Sequence, residues 1–201
     1  MMESPRPSRS AAILVLAAGS SSRLGQPKQQ VLFRSKPLLV QTAEAALQTG
    51  YPVTVVLGSA ASEHEATLAG LAVDMAVDEQ WHLGMGHSLK TGLTRLLSSH
   101  PQLEAVVVSV CDQPLLSAAI FERLLSGANP LVACQYRVGW GVPALFTKPF
   151  FGELLALEDG AGAKKILVRH GPSVARIPFP EGDLDIDTPE DLASLNRYIP
   201  L

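Results

Sequence analysis

The chain has 201 residues, 47% hydrophobic and 17% charged, with 16 Lys and Arg against 19 Asp and Glu, a formal net charge of −3. A chain of that length can bury roughly 70% of its unfolded surface without disulfides or metal. The balance excludes a disordered chain and the basic footprint of a general nucleic-acid or anionic-membrane binder; aromatics at 5% are too few for an array of base-stacking platforms.

In chain order, residues 1–10 read as a disordered tail with no signal peptide. The apolar run at 11–17 reads as a strand buried on both faces and is too short to span a bilayer. The expectation is a cytoplasmic protein with no membrane or nucleic-acid partner. A helix is predicted over 38–48, with Pro37 as its first residue and a stop at Gly50, then a strand over 52–57. Ser62 with Glu65 three residues on predicts a capped helix over 62–71. A short strand at 73–77 and a helix at 88–99, marked by Leu89, Leu93, Leu96 and Leu97, follow. The strongest strand signal is 105–110, ahead of a helix from Ser117 to about 126. This βαβαβαβ order predicts a parallel sheet with right-handed crossovers.

The second half is less regular. Strands are expected at 131–135 and 143–146, joined by 136–142, then helices near 150–157 and 162–170 and a strand at 173–177. Asp187-Thr-Pro-Glu-Asp191 opens a last helix. No repeat or linker divides the chain, so residues 11–201 read as one α/β domain. Cys111 and Cys134 each end an apolar run and read as buried, reduced thiols.

Ligands of open α/β sheets sit outside the carboxyl ends of the strands, and three segments fall there. Leu16-Ala-Ala-Gly-Ser-Ser-Ser-Arg-Leu-Gly-Gln-Pro-Lys28 has glycines that let the backbone present N–H groups, hydroxyls at Ser20, Ser21 and Ser22, and cations at Arg23 and Lys28. It is neither a Walker A loop nor a dinucleotide fingerprint: Gly19 and Gly25 stand six apart, and Ser21 holds the second glycine position. A Gly/Ser turn can also be plain connection; the two cations on it favour a phosphate cradle. Asp112 follows a strand and stands five residues before Ser117, too far to cap the next helix. Mg²⁺ bridging phosphates needs only one or two carboxylates. Asp112 with Asp185 or Asp187 would supply them if the last strand returns beside the 105–110 strand; otherwise Asp185 and Asp187 serve the final helix. Among the histidines, His64 and His100 read as solvated, and His87 as a turn residue or a substrate contact. Trp140 reads as a stacking platform or as partial burial against the sheet.

These residues resemble a family. The loop 16–28, Gly84-Met-Gly-His-Ser-Leu89, Cys111-Asp-Gln-Pro114 and Asp185-Ile-Asp-Thr-Pro-Glu-Asp-Leu192 are similar to the motifs of nucleotidyltransferases, more narrowly the molybdenum cofactor cytidylyltransferase group. The resemblance implies a Rossmann-like three-layer sandwich with a mostly parallel sheet. Its nucleotide-binding half would be about 11–116 and its acceptor half about 117–201. It also implies transfer of CMP from CTP to a phosphorylated pterin with Mg²⁺, releasing pyrophosphate, and a molybdoenzyme that receives the product. By position, Arg23, Lys28 and Asp112 would be catalytic. Leu16, Ala17, Ala18, Gly19, Ser20, Ser21, Ser22, Arg23, Lys28, Gly58, Ser88 and Asp112 would hold the nucleotide. Asp112 with Asp187 or Asp185 would hold the metal, and Gln113, Tyr136, Trp140 and Gly141 the acceptor. Two departures bear on the acceptor: Val142 stands where members carry a histidine before Pro143, and in Asp159-Gly-Ala-Gly-Ala-Lys164 a lysine replaces the family's arginine. Another phosphorylated acceptor, with another nucleoside triphosphate, or a non-catalytic pterin carrier are the competing expectations.

Overall fold

A computed structural model of the chain describes residues 10–195; the tail expected at 1–10 therefore lies outside the described residues apart from Ser10. The elements run β1 (Ala11–Ala17), β2 (Leu32–Phe33), β3 (Lys36–Pro37), α1 (Leu38–Leu47), β4 (Val53–Leu57), α2 (Ala61–Thr67), β5 (Asp74–Val77) and α3 (Met85–Ser99). They continue as β6 (Ala105–Val110), α4 (Ala118–Ser126), β7 (Leu131–Gln135), β8 (Trp140–Thr147), α5 (Phe151–Leu155), α6 (Lys164–Arg169), β9 (Ala175–Pro178) and α7 (Pro189–Leu195).

Seven strands form one sheet in the order β5-β4-β1-β6-β8-β7-β9. Only β8 runs against the others, pairing antiparallel with β6 and β7, while β1, β4, β5 and β6 pair in parallel, as do β7 and β9. Strand β1 is apolar and buried at every position because both faces are covered. In β1, Ala11, Ile13, Val15 and Ala17 face α1 and α4 through Leu39, Ala43, Phe121 and Leu124. Its alternate residues Ala12, Leu14 and Leu16 face α3, α5 and α6 through Leu89, Leu93, Leu154 and Ile166. Gly92 lets α3 lie close: a Cβ there would stand 2.5 Å from Leu14 Cδ1 and 2.4 Å from Val56 Cγ2. The fold is thus the Rossmann-like three-layer sandwich that the family resemblance implies, with the mostly parallel sheet that the alternation of elements predicts.

Several expectations need correction. The hairpin β2–β3 was not foreseen, because Arg34 and Ser35 occupy its positive-φ corner at 51° and 64° where glycine or asparagine is the usual signal. Pro37 precedes α1 rather than opening it, and α2 begins at Ala61 with no side-chain cap, so the Ser62–Glu65 box does not form. His64 is not solvated but 1% exposed. β8 starts at Trp140, three residues early, since Gly139 turns the chain at φ 83° and Gly141 pairs with Cys134. Helix α3 begins at Met85, and α5 and α6 are shorter than their apolar patterns. Most consequential for the site, β9 lies on the far edge beside β7, not beside β6. The chain after β9 instead crosses back over the carboxyl ends, where the Ile186 N–H donates to the Asp112 carbonyl at 3.0 Å. A small third apolar cluster, including Leu24, Val31, Phe33 and Ile186, fastens that crossing to the 18–27 loop.

Candidate active site

The loop leaving β1 is shaped by its own hydrogen bonds. Ser21 adopts φ 55° and Gly25 φ 74°, and the Ser21 carbonyl accepts from Leu24 N at 3.0 Å. Ser21 Oγ accepts the Lys28 N–H at 3.0 Å. Gln29, fully buried, donates its amide to the carbonyls of Ala17 and Gly19, each at 2.8 Å. It closes the loop from inside and was not singled out by sequence, since a glutamine in a polar stretch carries no burial signal.

Lys28 is aimed where the crossing segment returns. Its ammonium pairs with Asp112 Oδ2 and, at 3.1 Å, with Asp187 Oδ1; Arg23 reaches Asp187 Oδ2 at 2.7 Å from an exposed position. Burial by itself would lower the Lys28 pKa, but the adjacent Asp112 and the Asp187 charge override it and hold the group above the usual lysine range. The alternation Asp185-Ile186-Asp187 buries the middle side chain and leaves both carboxylates on the cleft side. Asp185 keeps solvent access through the cleft mouth. Even so, the surrounding protein raises its carboxyl to about 7, with Asp112 and Asp187 adding repulsion and Lys28 opposing.

Two cavities meet here. The first, about 280 Å³, is lined by Leu16, Ala17, Ala18, Gly19, Ser20, Gln29, Trp81 and Ser88 among others. The second, about 310 Å³, is lined by Gln113, Tyr136, Gly141, Val142, Lys164, Asp185 and Asp187 among others. Lys28, Met85, Val110 and Asp112 line both. A cation flanked by carboxylates at the junction of two chambers suits transfer of an anionic group from one ligand to another.

Residues 13–174 match the family model described as the MobA-like NTP transferase domain. The chain belongs to this family. Over 188 residues it is 25% identical to the molybdenum cofactor cytidylyltransferase of Escherichia coli strain K12, covering 92% of this chain and 95% of that protein. It is 34% identical over 175 residues to the bifunctional protein GlmU of Thermobifida fusca and 32% over 133 residues to the bifunctional enzyme IspD/IspF of Erythrobacter litoralis. It spans about a third of the length of those two bifunctional relatives. Among solved structures, Rv0371c of Mycobacterium tuberculosis H37Rv superposes with a TM-score of 0.80 at 32% identity, over 94% of this chain and 98% of that one. A manganese complex of that protein aligns with a TM-score of 0.79 at 31% identity, over 94% and 100% of the two chains.

In this MobA-like NTP transferase, Leu16, Ala17, Ala18, Gly19, Ser20, Lys28, Ser88 and Asp112 come together on the first cavity. Ser21, Ser22 and Arg23 form an adjoining recess with Asp187. Gly58 stands behind that wall: a Cβ on it would lie 2.5 Å from Trp81 Cβ and 2.7 Å from the Ala18 carbonyl, so its bareness lets those two residues close up. Gln113, Tyr136 and Gly141 line the second cavity, but Trp140 does not; the Arg176 guanidinium covers its ring, 4.5 Å from the centroid. Gln113 donates to the carbonyls of Gly182 at 2.8 Å and Val142 at 3.2 Å. Gly84 and Gly86 are packing residues. A Cβ on Gly84 would stand 2.6 Å from the Asp159 carbonyl, and the Gly86 N–H donates to that carbonyl at 2.8 Å. Cys111 and Cys134 are buried free thiols, each raised to about 12 by burial, which leaves them unreactive. Trp81 and Met85 also line the first cavity, and neither was an expected site residue although Met85 stands within the motif at 84–89, because an apolar side chain carries no signal of ligand contact.

The residues suit a divalent cation of the hard, oxygen-seeking kind. Asp112 is 8% exposed, and its Oδ1 is buried without a hydrogen-bond partner, an arrangement that is costly unless a cation or donor completes it. No set of three or more His, Cys, Asp or Glu poised for a metal occurs among the described residues. A cation held by one or two carboxylates and completed by phosphate oxygens and water needs none. No helix among the described residues is long and apolar enough to cross a membrane.

Proposed function

We propose that this MobA-like NTP transferase moves CMP from CTP to the phosphate of a pterin acceptor of the molybdenum cofactor type, releasing pyrophosphate, with Mg²⁺ at Asp112 and Asp187 or Asp185. The observation that carries the reading is the junction of the two cavities at Lys28 and Asp112, one chamber walled by the Gly/Ser loop and the other by polar groups. The nearly end-to-end match to a molybdenum cofactor cytidylyltransferase supports the choice of nucleotide and acceptor. A molybdoenzyme taking the product and a cytoplasmic setting belong to the same proposal.

An acceptor phosphate is already an anion, so no activated serine or cysteine is required. The barrier is the approach of one anion to another, and positioning with positive charge carries most of the catalysis. A divalent cation would neutralise triphosphate charge and favour departure of pyrophosphate. The amides and hydroxyls of residues 19–22 would hold the triphosphate, with Arg23 at its outer end. Lys28 would set its ammonium against charge growing at the α-phosphoryl group. Gln113 and Tyr136 would shape the acceptor chamber. A second reading, the same transfer to a sugar phosphate or other alcohol phosphate from another nucleoside triphosphate, is favoured by the two bifunctional relatives and by Val142. Pyrophosphate release separates the readings. The protein is incubated with Mg²⁺, each nucleoside triphosphate in turn, and molybdopterin or a sugar phosphate. Release only with CTP and the pterin is expected; release only with a sugar phosphate supports the second reading, and none with any pair supports a carrier.

A further inference from the structure

Asp78, just past the end of β5, is 2% exposed and has no part in the chemistry above. Three groups converge on its carboxylate. Oδ1 accepts the Gln80 backbone N–H at 3.0 Å and lies 2.8 Å from His87 Nδ1; Oδ2 accepts the Ser88 hydroxyl at 2.7 Å. Ser88 is itself 3% exposed and lines the first cavity. A serine hydroxyl has one proton to donate, and here Asp78 takes it. Toward a ligand, the Ser88 oxygen offers lone pairs only.

We propose that Asp78 is a specificity-positioning residue: by fixing the polarity of the Ser88 hydroxyl, it makes the first cavity take a nucleotide whose base presents an exocyclic amine there and reject one presenting a carbonyl. This rests on the reading that the first cavity holds the nucleotide. Cytosine and uracil differ by that exchange, and a carbonyl set against an acceptor-only hydroxyl leaves two buried acceptors opposed. A carboxylate is acceptor-only, so Ser88 is the donor of this pair, while the Gln80 backbone N–H requires an acceptor at Oδ1.

The same constraint provides the test. In Asp78→Asn the amide carbonyl must stay at the Gln80 N–H, which turns the NH₂ toward Ser88. That NH₂ then donates to the hydroxyl and frees the Ser88 proton for the cavity. Binding of CTP and of UTP, each with Mg²⁺ and without acceptor, is measured calorimetrically on the full chain. The unmodified protein is expected to prefer CTP by about 10- to 100-fold, the effect of one mispaired buried group. Asp78→Asn should bring the CTP:UTP ratio to about one or invert it, and Ser88→Ala should abolish the preference with Asp78 intact. A ratio unchanged in both variants overturns the proposal, and so does an equal loss of both nucleotides in Asp78→Asn with the ratio kept in Ser88→Ala. Should Asp78→Asn fail to fold, Ser88→Ala alone decides. Equal binding of CTP and UTP by the unmodified protein refutes Asp78's role and leaves the nucleotide reading standing; binding of neither refutes that reading and the proposal with it.

Discussion

The two cavities that meet at Lys28 are built by different means. The first takes one side of its wall from the end of β1 and the loop that follows, closed from within by the amide of Gln29 on Ala17 and Gly19, and the rest from the segment between Trp81 and Ser88 and from β6's exit. The second is assembled from β6's exit, the β7–β8 hairpin, the start of α6 and the segment after β9, joined through the Gln113 amide to Gly182 and Val142. The side made from that loop is set by local hydrogen bonds. A wall gathered from many places is set by how the sheet brings them together, and its residues can change one by one. Under the proposed function, the invariant chemistry belongs to the first chamber and the choice of acceptor to the second.

The comparison can be broken at its shared point. Lys28→Ala should lower turnover about a hundredfold or more, the scale of one preorganised donor at a developing charge, read as pyrophosphate release at saturating substrates. Near-normal turnover would show that the junction is not the reacting centre. Each side can then be loosened alone. Gln29→Ala leaves the Ala17 and Gly19 carbonyls without its amide, and should weaken nucleotide binding about tenfold or more while acceptor KM stays put. Gln113→Ala should do the reverse, raising acceptor KM about tenfold with the nucleotide Kd unchanged. If either variant shifted both constants equally, the two walls would not be independent.

A gentler probe is pH. The raised Asp185 carboxyl, at about 7, binds a proton in the folded chain that it has lost in the unfolded one. Metal-free stability should therefore fall as pH rises from the ordinary aspartate value of 3.8 through about 7. Divalent binding requires the ionised form and should strengthen over the same rise. Mn²⁺ titrations of the wild type and Asp185→Asn at pH 6 and about 8 check this, with the variant flatter in both respects. The smallest effect belongs to Arg23, whose side chain is 73% exposed in its pair with Asp187. Arg23→Ala should change unfolding free energy by less than about 1 kcal/mol, measured by denaturant titration, whatever it does to triphosphate affinity.

The loop side of the first chamber is legible in the sequence because its parts are contiguous. The apolar run of β1, the glycines and serines after it, and Lys28 occur in one stretch, and Asp112 announces itself as a carboxylate at a strand end with no helix close enough to cap. Asp185 and Asp187 are legible as a pair through the alternation around Ile186, but their route to Asp112 is not. The expected neighbour strand is not there; β9 sits at the far edge and the chain crosses back. Trp140 shows the same limit, since nothing local reveals that Arg176, 36 positions later, lies over its ring.

What the sequence by itself determined is the alternation of strands and helices and the glycines, hydroxyls and cations of the loop after β1, because periodicity and turn residues act over a few positions. Tertiary structure alone decided that Lys28 stands between Asp112 and Asp187, separated from them by 84 and 159 positions. It also decided that Asp78 claims the Ser88 proton and that Arg176 covers Trp140. Those contacts depend on where the sheet and its returning chain place distant side chains, and on which buried polar groups can pair once they arrive there.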